Sequence, residues 1–345
     1  MKKIAILGTG INALGFYLGL SSKHKIDIYD FMGDRIVQSE INKTQTILYS
    51  NQVGGLSNHW HGVMPAYLFE DKEFIALWNM LGKKCPKIIN PKEKIFVMRQ
   101  PVRTKKFFKN IIKLDNYCLK ELQKKYDYIF LGLGIFGNAK ILNKNFDLNQ
   151  IKINDHIVSY KNFQNSYKHS VELFFDGYTR KILREGETIK IPRTSLGINK
   201  TNFKDYLMEK FSYSTSTRNI IKNIFSSRYF IQRVFEAIDN KFGILSKIKK
   251  KNFSLIYEQR FCRNAYLIKF KDDKLIFEQN KKFKNDELGS LHYSFSITDE
   301  LKEKLEKKQI LLQPSCNYDY YFDDNHSDHQ TMKSMLYAYK ISRNI

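Results

Sequence analysis

Lys3-Ile4-Ala5-Ile6-Leu7-Gly8-Thr9-Gly10-Ile11-Asn12-Ala13 opens the chain and decides its fold. The residues from Lys3 to Leu7 are a short apolar run, the pattern of a buried parallel strand. Gly8 to Ala13 make a turn, and Leu14 to Ser21 continue with apolar residues at helical spacing. A second strand, Lys25-Ile26-Asp27-Ile28-Tyr29, ends at the acid Asp30. Each residue type has a physical reason here. Gly8 permits the tight turn, and Gly10 lets a pyrophosphate approach the backbone at a helix N-terminus. Ala13 stands where a small residue lets helix and strand pack closely, and Gly15 adds another. Asp30 lies about 20 residues past the glycines, where a carboxylate can hold a ribose hydroxyl. The stretch predicts a strand–turn–helix–strand unit that binds a dinucleotide.

Composition sets the outer bounds. At 345 residues, 42% hydrophobic and 14% aromatic, the chain can bury one large core or two connected ones. After Met-Lys-Lys no small-residue cleavage site follows, and no run of eighteen apolar residues occurs, so a cytoplasmic protein is expected. Cys85, Cys118, Cys262 and Cys316 form no Cys-x-x-Cys pair, which fits a reducing compartment without a metal site. The net charge of +23 invites a nucleic-acid reading, but the lysines are spread along the whole chain. Lys247, Lys249, Lys250 and Lys251 form the one dense cluster, and no recognition motif accompanies the charge. No specific nucleic-acid partner is expected.

A second stretch follows a loop of mixed character. Gln52-Val53-Gly54-Gly55-Leu56-Ser57-Asn58-His59-Trp60-His61-Gly62 suits a backbone lying flat against a planar polar ligand. Gly54 and Gly55 allow contact, Ser57 and Asn58 offer hydrogen bonds, and Trp60 offers an apolar wall. A glycine-rich turn ending in a buried Trp would read the same way.

Val53 to Trp60 resembles a segment of the glucose–methanol–choline family of FAD-dependent oxidoreductases, and especially its pyranose-oxidase branch. That family carries Gly-Gly-x-Ser/Thr, often continuing to Asn or His and then Trp, against its flavin. Three later segments are similar in the order the family requires. Tyr126 to Gly137 reads as an apolar strand closed by glycines, with a helix starting at Ala139, and it implies a cofactor contact at Gly134. Gly289-Ser290-Leu291-His292-Tyr293 is similar to the segment bearing the first catalytic histidine. Asp328-His329 precedes Thr331 to Ser342, which resembles the last helix, beginning beside the flavin at Thr331. The resemblance covers residues 1–70, 120–145 and 288–345.

The resemblance implies FAD as cofactor, held by Gly8, Gly10, Ala13, Asp30, Gly54, Gly55, Ser57, Asn58, His59, Gly134 and Thr331. It implies His292 and His329 as the catalytic pair. One would accept the hydroxyl proton of a sugar-like alcohol while its hydride moves to the flavin, and the other would fix the oxygen. His59 occupies the place of a histidine bonded covalently to flavin in the pyranose-oxidase branch. The electron acceptor is not named by any motif. One departure is plain: Gln313, in Ile310-Leu311-Leu312-Gln313-Pro314-Ser315, stands where the family has an acid, which points to a weaker flavin site.

The expected architecture is α/β. A Rossmann-type FAD-binding domain spans 1–150 and 288–345, and a mostly antiparallel α+β substrate domain, 151–287, is inserted into it. Short strands are expected at Ile95–Met98, Val158–Tyr160, Val171–Phe175, Thr188–Ile191, Ser254–Tyr257, Tyr266–Phe270 and Leu275–Phe277. Helices are expected at Glu73–Leu81 and through 205–250, where the basic helices would suit a peripheral membrane contact or a packed core. Three rival readings share part of this pattern. They are a nicotinamide-dependent dehydrogenase, a flavin binder without turnover, and a membrane-associated dehydrogenase that reduces a quinone.

Overall fold

A computed structural model of the chain describes residues 1–20, 22–33, 36–42, 45–58, 63–83, 94–97, 102–116, 118–148, 150–163, 172–174, 177–181, 189–192, 254–271, 274–281, 294–316 and 331–345. Its first half holds β1 (Lys3–Leu7), α1 (Ile11–Gly19), β2 (Lys25–Asp30), β3 (Ile36–Asn42), β4 (Gln45–Ser50), β5 (Val63–Pro65), α2 (Lys72–Met80), β6 (Lys94–Val97) and β7 (Ile112–Lys113). Next come α3 (Lys120–Lys125), β8 (Tyr128–Leu131), α4 (Gly134–Phe146), β9 (Gln150–Phe163), β10 (Glu172–Phe174), β11 (Gly177–Lys181) and β12 (Ile189–Pro192). The last elements are β13 (Ser254–Lys271), β14 (Lys274–Gln279), β15 (Ser294–Phe295), α5 (Asp299–Lys307), β16 (Ile310–Leu312) and α6 (Thr331–Arg343).

β1 lies at the centre of a parallel five-stranded sheet ordered β16-β8-β1-β2-β7. Counted along the chain the strands run 5-4-1-2-3, an order compatible with a Rossmann-like domain. Side-chain alternation along β1 sets the layers. Ile4 and Ile6 join one core with α1, α2 and α6, whereas Ala5 and Leu7 join another with α3, α4 and α5. Helices on both faces satisfy a strand that is apolar on both faces. Phe16 of α1 stacks on Phe130 of β8 at 4.1 Å, which adds about 0.5–1.5 kcal/mol to their burial.

The C-terminal helix covers the first. Extra carbon atoms at Gly15 or Gly19 would lie 2.2 Å from the Met335 carbonyl oxygen or 2.4 Å from that of Tyr339. The two glycines are what allow α1 and α6 to touch. Lys340 of α6 also pairs with Asp71 at 2.6 Å and Glu73 at 3.3 Å, beside the start of α2. Asp71 caps that helix, its carboxylate accepting from the N–H of Glu73 at 2.8 Å.

The mixed α/β class is as expected, including the antiparallel part. β9 pairs β12-flanked β13 along its length, β14 extends the sheet, and β15 closes its other edge. β5 and β6 join β10 and β11 in a smaller sheet. β9 runs through the expected boundary at 150/151, and Ile151, Ile153, Tyr266, Ile268 and Phe295 share a core with Leu7, Leu131 and Ile310. The base of the antiparallel sheet thus belongs to the parallel-sheet unit. The expected helices at 205–250 lie outside the described residues.

Several expectations need correction. The loop expected before Gln52 contains the β3–β4 hairpin. α1 starts at Ile11, not Leu14, because Gly10 is its N-cap. α4 starts at Gly134, five residues before the expected Ala139. The strands expected at 254–257 and 266–270 are one strand with a bulge between Cys262 and Tyr266. There Asn264 takes a left-handed φ of 52°, and its N–H donates to the Asn154 side chain at 3.0 Å. Among the described residues no helix is long and apolar enough to cross a membrane.

Candidate functional site

In open parallel sheets ligands bind outside the carboxyl ends of the strands, where neighbouring connections leave in opposite directions. Here that place is between β1 and β8. The turn after β1 touches the turn after β8, and a side chain at Gly8 would put its Cβ 2.3 Å from the Gly132 carbonyl oxygen. Gly8 also has φ 103°, so both space and backbone demand glycine. Gly10 differs. Among the described residues a Cβ there meets nothing closer than the Gly132 oxygen at 4.0 Å, and its φ of −75° is ordinary. Among the described residues, glycine at position 10 therefore leaves room at the turn.

The room lies at the start of α1. Its ladder begins with the Leu14 N–H on the Gly10 carbonyl at 3.0 Å, and the Gly10 N-cap provides no side-chain cap. Backbone N–H groups ahead of that bond, with the helix dipole behind them, suit a phosphate. Ala13 is fully buried, and a Cβ at Gly132 would lie 3.1 Å from Ala13 Cβ, so Ala13 sets the close packing of α1 against the second turn.

Asp30 ends β2 and is only 6% exposed. The Thr9 hydroxyl donates to its Oδ2, and the Met32 N–H donates to Oδ1 at 3.3 Å. Burial pushes the Asp30 carboxyl above its usual range, and the hydrogen bonds from Thr9, Met32 and Phe31 pull partly back. Thr9 Oγ1 in turn accepts the Gly54 N–H at 2.7 Å. One hydroxyl joins the β1 turn, the β2 acid and the Gly54 loop.

That loop is held from within. Gly54 and Gly55 take positive φ values of 91° and 53°. A side chain at Gly54 would strike Asn58 Oδ1 at 2.8 Å, whereas among the described residues nothing lies within 4 Å of one at Gly55. Ser57, expected to face a ligand, instead donates to the Gly54 carbonyl at 2.5 Å and lies 2.9 Å from the Thr104 hydroxyl. Asn58 donates to the Val53 carbonyl at 3.0 Å. Arg103 donates to the Ser57 carbonyl at 2.8 Å. Ser57 and Asn58 shape the loop, and Gly55 is its open position.

A second network crosses the sheet edge. Gln313, buried after β16, accepts the Gly134 N–H on Oε1 at 3.1 Å and donates from Nε2 to Ser315 at 2.7 Å. Asn12 donates weakly to Ser315 at 3.4 Å and accepts from Ser334 on α6 at 2.5 Å. The start of α4 is thus capped by an amide rather than a carboxylate. Beneath it the buried Asn138 side chain bonds the Leu131 carbonyl and the Leu133 N–H, at 3.0 and 3.2 Å, fixing the β8–α4 turn. Asn138 also touches Cys316, whose thiol is pushed up by burial and is inert as a nucleophile.

The structure therefore brings Gly8, Gly10, Ala13, Asp30 and Gly54 to one sheet edge, with Gly134 beside them. Thr331 is the first residue of α6, half-buried, three residues before the Ser334 contact. His59, His292 and His329 lie outside the described residues. Sequence reasoning missed Thr9, Thr104, Arg103 and Asn138. Thr9 was signalled only by its place between two glycines and carried no distinctive spacing. Elsewhere, a cleft of about 270 Å³ lies between Tyr67–Asp71 and the face of α6 bearing Lys333, Leu336, Tyr337 and Lys340. It does not include the sheet edge. No protein-family model, curated protein or solved structure matches the chain.

Proposed function

We propose that the chain is an FAD-dependent oxidoreductase that oxidises an alcohol group, of a sugar or sugar derivative, by hydride transfer to the flavin. The observation that carries the reading is the contrast between Gly8, which the fold itself requires, and Gly10, which it does not. An open glycine before uncapped helical N–H groups fits a pyrophosphate, and Asp30 at the next strand end fits a ribose. Gly10, the start of α1, Asp30 and the Gly54–Gly55 backbone would hold the dinucleotide. Gly134 and Thr331 would lie along the same edge. FAD would supply the hydride acceptor, and His292 and His329 would hold the substrate oxygen and take its proton.

Two observations favour a different outcome at the same edge. The Gly10–Asp30 arrangement also suits a nicotinamide dinucleotide. Gln313 leaves the edge without a carboxylate at that place, which favours flavin binding without turnover. The absorption spectrum of the purified protein separates the readings. Visible flavin bands, bleached when the right alcohol is added without oxygen, support the oxidoreductase. Bands that no alcohol bleaches support the binder, and a colourless protein that binds a nicotinamide dinucleotide supports the dehydrogenase.

A further inference from the structure

Thr9 is 1% exposed, and its hydroxyl both donates and accepts a hydrogen bond. A hydroxyl has one hydrogen and two lone pairs. Here the hydrogen goes to Asp30 Oδ2, and one lone pair takes the Gly54 N–H at 2.7 Å. Asp30 Oδ1 meanwhile accepts from Met32 at 3.3 Å. Both carboxylate oxygens are thus anchored, and the backbone N–H groups of Phe31 and Thr9 donate to the same carboxylate, with the Thr9 hydroxyl the strongest of these donors. Two carboxylate oxygens held in one orientation by these donors match two hydroxyls on adjacent carbons.

We propose that Thr9 is a specificity-determining positioning residue of the dinucleotide site, holding Asp30 so that it selects a ribose with both hydroxyls free. The inference rests on the dinucleotide reading above and goes beyond it by naming what fixes the acid. Without Thr9, Asp30 loses a charge-assisted donor in a buried place that already disfavours its charged form. A protonated or rotated carboxyl presents the wrong pattern to two hydroxyl donors. The selectivity comes from preorganisation: the carboxylate rotamer is set before the ligand arrives. The same hydroxyl ties the Gly54 loop to Asp30, so the loop is placed by the residue that sets ribose selection.

The test uses the full chain, freed of nucleotide, in a His59→Ala background so that no covalent flavin fills the site. ADP and 2′,3′-dideoxy-ADP are titrated by calorimetry into that chain and into its Thr9→Val, Thr9→Ser and Asp30→Asn variants. The readout is the ratio of the two affinities within each protein, which a general loss of fold or phosphate binding does not change. The parent should prefer ADP by about tenfold or more. Thr9→Ser should keep most of that preference, and Thr9→Val and Asp30→Asn should bring the ratio close to one. A Thr9→Val ratio equal to the parent's overturns the role of Thr9 while leaving the nucleotide site intact. Should Thr9→Val not fold, a Thr9→Ser ratio as low as that of Asp30→Asn overturns it instead. A parent that binds neither ligand removes the dinucleotide reading itself, and the inference falls with it.

Discussion

At the residue scale the two glycines of the first turn make opposite predictions. Gly8→Ala forces a left-handed φ and drives a methyl group into the Gly132 carbonyl, so it should destabilise the fold by about 2–3 kcal/mol. Gly10→Ala meets no described atom closer than 4.0 Å at an ordinary φ and should lower stability by about 1 kcal/mol or less, the difference between these residues at an N-cap. Urea midpoints of the two variants check the contrast; equal losses would contradict it. Asp30 adds a pH dependence. Because burial raises its carboxyl above 3.8, the nucleotide-free fold holds that proton more tightly than the unfolded chain does. Its stabilising contribution is complete below that value and is lost as pH rises through the folded one. Asp30→Asn should flatten this part of the stability-against-pH curve and weaken FAD binding about tenfold to a hundredfold. An unchanged curve would mean that the carboxyl is not desolvated.

At the element scale α1 and α6 are the pair to test. Ala at Gly15 or Gly19 must push apart two helix backbones, and each change should lower stability by about 1–3 kcal/mol, read from denaturant midpoints. A neutral Gly19→Ala would argue against this packing of α6. The Lys340–Asp71 pair ties α6 to α2 with both side chains about one-third exposed, so Lys340→Met should lower stability by only about 0.5–1 kcal/mol. Burial opposes the Asp71 charge, but the Lys340 hydrogen bond and the Phe74 and Glu73 N–H donors outweigh it and hold the carboxyl below the usual range. That contribution is present at neutral pH and is lost as pH falls through the lowered value, so the variant's deficit should shrink in acid.

The elements also show what a sequence can carry. β1 and β8 were legible as apolar runs, β2 as Ile26 and Ile28 alternating with Asp27 and ending at Asp30, and α6 as Met332, Met335, Leu336 and Tyr339 at helical spacing. The start of α4 was not, since Gly134 and Gly137 read as a turn and the Gln313 amide that caps Gly134 is distant in sequence. α5 carries local signals of its own, a Thr298 cap on Leu301 and acids in its first turn. Within the site, Gly10 and Asp30 follow from spacing alone. The inward roles of Ser57, Asn58 and Thr9 depend on Thr104, the Val53 carbonyl and Gly54 in turn, partners that spacing does not reveal.

At the scale of the whole molecule the parallel sheet and the base of the antiparallel sheet share one core, so they should unfold together. Ile268→Ala removes a fully buried side chain far along the chain from β1. It should cost about 2–5 kcal/mol and lower the same thermal transition that releases the nucleotide. A separate early transition, with the nucleotide site intact, would show instead that the antiparallel sheet is a domain of its own. Flavin content per chain reports whether the space before Gly10 receives the pyrophosphate of FAD, as proposed. Wild type and Gly10→Ala are purified side by side, checked for matching circular dichroism, and measured for bound flavin. Wild type should carry about one FAD per chain, and a folded Gly10→Ala should have lost most of it. Equal flavin in both proteins, or a wild type that takes up none when FAD is supplied, would contradict that placement.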